Sequence, residues 1–130
     1  MPLVRIDLLE GKSPDYRARI GEVVYQAMVK TLNVPKDDRF QVITEHSKEG
    51  LIFGRDYLGV HRSDDCIFVQ ISLNRGRSVE MKQSFYKAVA EGLHEAIGLR
   101  KEDVVINLVE VGKEDWSFGN GEAQYVSPPE

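Results

Sequence analysis

The chain repeats itself at an offset of 65 residues, and this repeat limits the possible folds more than any other feature. Residues 2–45 align with residues 67–110 without a gap and share nine identities. Chance would give about two or three at average residue usage. The identical pairs are Val4/Val69, Ile6/Ile71, Leu8/Leu73, Gly11/Gly76, Ser13/Ser78, Val24/Val89, Lys36/Lys101, Asp38/Asp103 and Glu45/Glu110. Because two copies are too few for a solenoid, the repeat predicts two similar halves packed about a pseudo-twofold axis.

Each half has the pattern of a strand, a helix and a second strand. Apolar and polar residues alternate from Val4 to Leu8, as in a half-buried strand. Ser13 followed by Pro14 is typical of a helix start, and Gly98 suits a helix end. The predicted strands are residues 4–8, 40–45, 66–73 and 104–111, and the predicted helices follow Ser13 and Ser78. We expect a loop at residues 47–65 and no periodic structure in residues 116–130.

These units predict an α/β fold in one domain spanning residues 1–130. A strand–helix–strand unit of this length forms a parallel pair with a right-handed crossover. Two units related by a pseudo-twofold axis give a four-stranded sheet with both helices on one face. We expect the opposite face to carry Val and Ile that one domain cannot cover, which predicts an oligomer.

Composition excludes several classes of function. The net charge of −4 is not that of a nucleic-acid-binding protein, and the sequence has neither a long apolar run nor a signal-peptide pattern. Cys66 is the single cysteine and lies in an apolar stretch, so we expect a buried, inert thiol in a cytoplasmic protein. His46, His61 and His94 lack the spacing of metal ligands. We therefore expect no metal, no nucleic acid and no membrane partner. Gly119-Asn120-Gly121 is too short for a phosphate loop and lacks its lysine.

Pro2 directly follows the initiator methionine and precedes the first strand. Removal of Met1 is the usual fate when the second residue is small, and it would leave a secondary amine held by a rigid ring. An amine fixed at the start of a core strand can act as an acid, a base or a nucleophile. The alternative is that Pro2 only permits removal of Met1.

The predicted topology brings charged residues to Pro2. Parallel pairing places Asp38 beside the start of the first strand, and the antiparallel third strand brings Arg75 and Arg77 to the same edge. Arginine binds carboxylates through two hydrogen bonds, and Asp38 can accept a proton or hold the amine protonated. Taken singly, Asp38 resembles its repeat mate Asp103 and could shape a loop, and both arginines could be solvated.

Four segments resemble the tautomerase superfamily, specifically its malonate semialdehyde decarboxylase-like branch, and the resemblance covers essentially the whole chain. They are Pro2-Leu3, VPKDDRFQ at residues 34–41, RGRS at residues 75–78 and DWSFGNGEAQ at residues 115–124. The resemblance implies a homotrimer of duplicated β-α-β units that needs no cofactor and acts on a small oxo acid.

By this resemblance Pro2 is the catalytic amino-terminal proline and Asp38 the carboxylate that assists it. Arg77 matches the arginine that binds the substrate carboxylate, and Arg75 matches a second arginine with a less secure spacing. Trp116, Phe118 and Tyr125 match aromatic residues that wall the pocket, although subunit packing is an alternative for Trp116 and Phe118.

Three functions remain open from the sequence. The first is decarboxylation of a 3-oxo acid such as malonate semialdehyde by a protonated Pro2. The second is keto–enol tautomerisation of a 2-oxo acid such as phenylpyruvate by a neutral Pro2, and dehalogenation or hydration of an unsaturated acid needs the same residues. The third is a non-catalytic trimeric binding module, which retention of Met1 would favour.

Overall fold

A computed structural model describes residues 2–126. Met1 and residues 127–130 lie outside the described residues, as do the predicted removal of Met1 and the end of the tail. The strands are β1 (Leu3–Leu9), β2 (Gln41–His46), β3 (Asp56–Tyr57), β4 (Val60–His61), β5 (Ile67–Asn74) and β6 (Val104–Val111). The helices are α1 (Pro14–Thr31) and α2 (Val79–Ile97), with 3-10 turns at Lys101–Asp103 and Lys113–Asp115.

Both helices begin at the predicted caps. The Ser13 hydroxyl accepts a hydrogen bond from the amide three residues later, and Pro14 occupies the first turn of α1. The Ser78 hydroxyl does the same for α2, which ends at Gly98 in the left-handed conformation with φ 69°. These contacts satisfy backbone groups that a helix end leaves unpaired. No helix within residues 2–126 is long and apolar enough to cross a bilayer.

The four long strands form one sheet in the order β2-β1-β5-β6. β1 is parallel to β2, β5 is parallel to β6, and the central β1 and β5 are antiparallel. This is the predicted arrangement of two β-α-β units. Alternate residues of β1 and β5 are buried against α1 and α2, because successive side chains of a strand point to opposite faces. The buried core includes Val4, Ile6, Leu8, Ile20, Val24, Met28, Ile67, Val69, Ile71, Leu73, Phe85, Val89 and Leu93.

The sheet face opposite the helices, here called the open face, is partly apolar as predicted, but the prediction that it carries isoleucine is wrong. Ile43 and Ile106 lie in register with buried residues of β1 and β5, so they pack towards the helices. Leu3, Val42 and Val109 lie on the open face, each between 37 and 39% exposed. The alternation of apolar and polar residues predicts that each strand has two faces, but the register of each edge strand decides which of its residues faces outwards.

The segment between the halves, predicted as a loop, contains a small hairpin. β3 and β4 pair antiparallel, and the two residues between them, Leu58 and Gly59, both have positive φ angles of 53° and 76°. Two successive positive φ angles are typical of the type I′ turn that closes tight hairpins. The loop prediction is wrong here because strands of two residues are too short to show a period of two.

The single cysteine is buried, as the sequence indicated. Cys66 is fully inaccessible at the entrance to β5. Burial raises the pKa of its thiol to about 11. The predicted burial of the cysteine is therefore confirmed. A raised pKa means that the thiolate is not populated near neutral pH, as expected of an inert thiol.

Candidate active site

Pro2 is buried immediately before β1, at the edge of the sheet where β2 begins and β5 ends. The amide of Val4 donates to the carbonyl of Phe40 at 2.9 Å, which joins the start of β1 to the residue before β2. Leu3 pairs with Ser72, so the last residues of β5 run past the start of β1. The strand register therefore brings the predicted site residues of both halves to this edge.

Asp38 lies half-buried in the turn that leads into β2. Its amide donates to the Pro35 carbonyl at 3.3 Å, and the preceding amide, of Asp37, donates to the Tyr25 hydroxyl at 3.0 Å. Burial raises the pKa of the Asp38 carboxyl, while positive charges at the amino terminus and on Arg77 oppose that rise. Asp38 is therefore in the field of Arg77, as the predicted topology requires.

Arg77 is held by two backbone carbonyls at the same edge. Its Nε donates to the Leu32 carbonyl at 3.1 Å, and its Nη1 donates to the Asn74 carbonyl at 3.1 Å. These carbonyls follow α1 and end β5, so one guanidinium joins the two halves of the repeat. An arginine side chain has five N–H donors in a rigid plane, and these two bonds leave donors for a bound carboxylate.

Arg75 reaches the same edge but lies along β6. Its side chain is exposed and lies close to Gly112. A methyl group added to that glycine would be 3.4 Å from the Nη1 of Arg75. Its amide donates to the Val111 carbonyl at 3.0 Å. The two arginines of the RGRS segment therefore differ in setting, because Arg77 is anchored between the halves and Arg75 lies over the end of β6.

Three aromatic rings form a continuous cluster after β6, here called the aromatic wall. Trp116 stacks on Phe118 with ring centres 5.6 Å apart and planes at 17°. Phe118 meets Tyr125 edge to face at 5.0 Å. Burial and the negative charge of Asp38 raise the pKa of the Tyr125 hydroxyl, and the charge of Arg77 opposes the rise. The charges of Asp38 and Arg77 therefore act on the hydroxyl at this end of the wall.

Gln124 shapes the wall, and sequence reasoning did not assign it a role. Its Oε1 accepts from the Phe118 amide at 2.9 Å, and its Nε2 donates to the Gly119 carbonyl at 2.9 Å. The turn between them includes Gly119, Asn120 and Gly121, which all have positive φ. Glycine adopts such angles without steric cost, so this Gly-Asn-Gly motif forms a turn that folds Tyr125 back onto Phe118.

Comparisons with known proteins match this arrangement over the whole chain. A family model described as "Tautomerase enzyme" matches residues 38–119, and a second with the same description matches residues 2–61. The chain is 40% identical to a probable tautomerase, YusQ, of Bacillus subtilis (strain 168) over 97% of its own length and 99% of that protein. The chain belongs to the tautomerase family.

Two solved structures support the malonate semialdehyde decarboxylase-like branch of the superfamily for this tautomerase. An FG41 malonate semialdehyde decarboxylase inhibited by 3-bromopropiolate superposes with a TM-score of 0.88 at 39% identity, covering 95% of this chain and 94% of the other. A second malonate semialdehyde decarboxylase also gives 0.88, at 31% identity and 95% coverage of each chain. A fused 4-OT symmetric trimer shares the fold, with a TM-score of 0.77 at 21% identity and coverage of 95 and 98%.

The repeat gives this tautomerase a second turn of the same kind as RGRS, formed by residues 10–13 at the other end of the sheet. Gly11 has φ 114° and Gly76 has φ 124°, so both glycines turn the chain into the following helix cap in the same way. Lys12 then occupies the position of Arg77. Its Nζ forms an ion pair with Asp65 at 2.7 Å, so the chain itself supplies a carboxylate to this copy.

The two repeat-related aspartates also differ in setting. Asp103 is fully buried, and it accepts hydrogen bonds of 2.6 Å from both the amide and the hydroxyl of Ser63. The segment that joins the two halves contacts this end of the sheet through Ser63 and Asp65, whereas Pro2 precedes β1 at the end that contains Asp38. Asp103 therefore has the loop-shaping contacts that the repeat allowed for both residues, while Asp38 lies in the turn before β2 and its catalytic role stays a prediction.

Proposed function

We propose that this tautomerase decarboxylates a small 3-oxo acid such as malonate semialdehyde, without a cofactor, once removal of Met1 has freed the Pro2 amine. The observation that carries the proposal is that a fixed guanidinium, Arg77, and a half-buried carboxylate, Asp38, lie at the sheet edge where Pro2 precedes β1, with the charge of Arg77 acting on Asp38. Similarity over nearly the full length to two malonate semialdehyde decarboxylases supports the same reaction.

Arg77 holds the substrate carboxylate, and Pro2 acts on the carbonyl two bonds away. In one route protonated Pro2 donates a hydrogen bond to the carbonyl oxygen. In the other, Pro2 that has given up its proton attacks the carbonyl carbon and forms an iminium with loss of water. In both routes the carbon–carbon bond to the carboxylate breaks, and its electron pair flows towards the activated carbonyl as carbon dioxide leaves. A proton then adds to the former α-carbon, and the shorter aldehyde leaves by dissociation in the first route and by hydrolysis of the iminium with one water in the second.

Asp38 and the aromatic wall support this chemistry. The negative charge of ionised Asp38 raises the proton affinity of a nearby amine and so favours protonated Pro2, the form that donates the hydrogen bond to the carbonyl oxygen. The wall of Trp116, Phe118 and Tyr125 excludes water, which strengthens every charge interaction inside the site. Arg75, exposed over β6, contributes to attracting the anionic substrate rather than to fixing it.

The second candidate is a keto–enol tautomerase acting on a 2-oxo acid such as phenylpyruvate. It is favoured by the names of two relatives, the probable tautomerases YusQ and YrdN of Bacillus subtilis (strain 168), which are 40% and 34% identical to this chain. In that reaction Pro2 is neutral and removes a proton. The pKa of the Pro2 amine therefore separates tautomerisation from decarboxylation by the hydrogen-bonding route, because that route needs a protonated amine and tautomerisation needs a neutral one.

We further propose that the protein acts as a homotrimer in the cytoplasm. The exposed Leu3, Val42 and Val109 of the open face lack cover within residues 2–126, and the fused 4-OT trimers share the fold. A trimer that retained Met1 would instead be a non-catalytic binding module, since Pro2 would then have an amide nitrogen. Mass spectrometry of the purified native protein separates these two cases.

The test is a direct assay of both reactions on the same preparation. We expect carbon dioxide and aldehyde to appear from malonate semialdehyde, and much slower ketonisation of phenylpyruvate enol. Titration of 15N-labelled Pro2 by NMR should show the amine protonated at neutral pH. Ketonisation without carbon dioxide release, together with a neutral amine, would establish the tautomerase instead. Turnover of neither acid by protein lacking Met1 would reject both.

A further inference from the structure

Asn74, the last residue of β5, contacts both parts of the candidate site. Its side-chain Oδ1 accepts a hydrogen bond from Trp116 Nε1 at 2.7 Å. Its backbone carbonyl accepts the bond from Arg77 Nη1 at 3.1 Å. One half-buried residue therefore joins the aromatic wall to the arginine that we assign to the substrate carboxylate.

The bond to Trp116 fixes the orientation of both partners. An indole nitrogen can only donate, so the atom it meets must be the amide oxygen of Asn74 and not the amide nitrogen. Trp116 is half-buried, and its N–H is the only polar group of its ring. Leaving such a donor without an acceptor in a partly buried position is unfavourable, so the bond selects one orientation of the indole.

The orientation of Trp116 passes to the rest of the wall. The indole lies nearly parallel to Phe118 at 17°, and Phe118 meets Tyr125 edge to face at 84°. Gln124 fixes the backbone of that turn from the other side, through its bonds to the Phe118 amide and the Gly119 carbonyl. The wall is thus held at two points, at Asn74 through a side chain and at Gln124 through the turn.

We propose that Asn74 is a positioning residue that aligns the aromatic wall with the guanidinium of Arg77. The proposal rests on the proposed function, because it assumes that these two elements bind one substrate. Any residue at position 74 supplies the carbonyl that anchors Arg77, whereas only a side-chain acceptor of suitable length anchors Trp116. Substitution of Asn74 therefore loosens the wall and leaves the Arg77 anchor intact.

The experiment uses Asn74→Ala, with Asn107→Ala as a matched control. Asn107 lies on the neighbouring strand β6, and its Oδ1 accepts from Gln70 at 3.0 Å, so the control deletes the same kind of bond from the same sheet face. Sedimentation compares the assembly state of both variants with that of the wild type. Because Trp116 is the only tryptophan, the emission of the protein reports this indole alone.

We expect Asn74→Ala to shift the Trp116 emission to longer wavelength and to increase its quenching by acrylamide. The value of kcat/KM should fall roughly three- to tenfold, the effect of one lost hydrogen bond. Asn107→Ala should change neither quantity. Asn74→Asp keeps the acceptor and should retain the emission, but its charge should raise KM for an anionic substrate. If Asn74→Ala does not fold, Asn74→Ser, with a side chain too short for the bond, replaces it.

A double-mutant cycle with Trp116→Phe tests the coupling directly. Phenylalanine has no N–H to donate, so Asn74→Ala should cost little further activity once Trp116 is phenylalanine. Additive losses, or an Asn74→Ala protein with wild-type emission, would overturn the proposal. Malonate, an unreactive dicarboxylate, tests without turnover whether Trp116 and Arg77 bind one ligand. Its binding should change the Trp116 emission of the wild type. If the wild type is inactive but Asn74→Ala still shifts the Trp116 emission relative to the wild type, the result counts against the proposed function and not against the Asn74–Trp116 contact.

Discussion

Replacing Arg77 by alanine should reduce kcat/KM about ten- to a hundredfold, and replacing Arg75 should cost much less. Hydrogen bonds to a charged group contribute roughly 1.5–3 kcal/mol, and each 1.4 kcal/mol is about tenfold in rate. Arg77 is half-buried and held by the carbonyls of Leu32 and Asn74, so its donors are already oriented for a carboxylate. Arg75 is exposed, and solvent reduces an exposed charge contact to roughly 0–1 kcal/mol, about fivefold at most.

Arg77→Lys serves as the companion variant. Lysine retains the charge but cannot donate to both carbonyls and grip a carboxylate with a planar fork, so we expect an intermediate loss. Arg77→Ala leaves both carbonyls without their donor, and Arg77→Lys removes the simultaneous bonds to the two, which should lower the free energy of unfolding by roughly 0.5–1.5 kcal/mol per lost bond. Urea unfolding of each variant measures that cost separately from the loss of activity.

The assay is steady-state release of carbon dioxide from malonate semialdehyde by wild type, Arg77→Ala, Arg77→Lys and Arg75→Ala. Losses of equal size in the two alanine variants would mean that both arginines grip the carboxylate together. Wild-type activity in a folded Arg77→Ala protein would refute the assignment of the substrate carboxylate to this guanidinium.

Three further outcomes follow from the same geometry. Insertion of alanine between Met1 and Pro2 should abolish turnover, because it turns the Pro2 nitrogen into an amide. Pro2→Ala should keep part of the activity through its primary amine. Full activity in the insertion variant would exclude Pro2 as the catalytic group. We attribute the acid limb of the pH profile of kcat/KM to Asp38, and it should report a pKa above the ordinary value of an aspartate, since burial raises the pKa of this carboxyl. Arg77→Gln should move that limb to still higher pH, because it removes a positive charge that lowers the pKa of Asp38. Sedimentation at micromolar concentration should show a trimer, and a stable monomer would contradict the role proposed for the open face.

Much of the architecture was readable from the sequence because its signals are local or repeated. Ser13 and Ser78 cap the predicted helices, and Gly98 ends the second helix as expected. The 65-residue repeat, read together with the rules for β-α-β units, predicted the sheet order and the antiparallel central pair. The same reasoning predicted that Asp38 and Arg77 approach Pro2, because parallel and antiparallel pairing fix which strand ends meet.

The tertiary structure decided the contacts that depend on exact register and on residues far apart in the chain. Asn74 and Trp116 are 42 residues apart, and no local pattern signals their hydrogen bond. The repeat made Lys12 resemble Arg77, but only the fold shows that Asp65 pairs with Lys12. A sequence pattern records which face a residue prefers, whereas a side-chain contact depends on the three-dimensional path of both segments. The sequence alone thus determined the strands, the helices and the sheet edge where the site residues meet. The packing of β5 against the turns that follow α1 and β6 determined how Arg77 is anchored and how the aromatic wall is held.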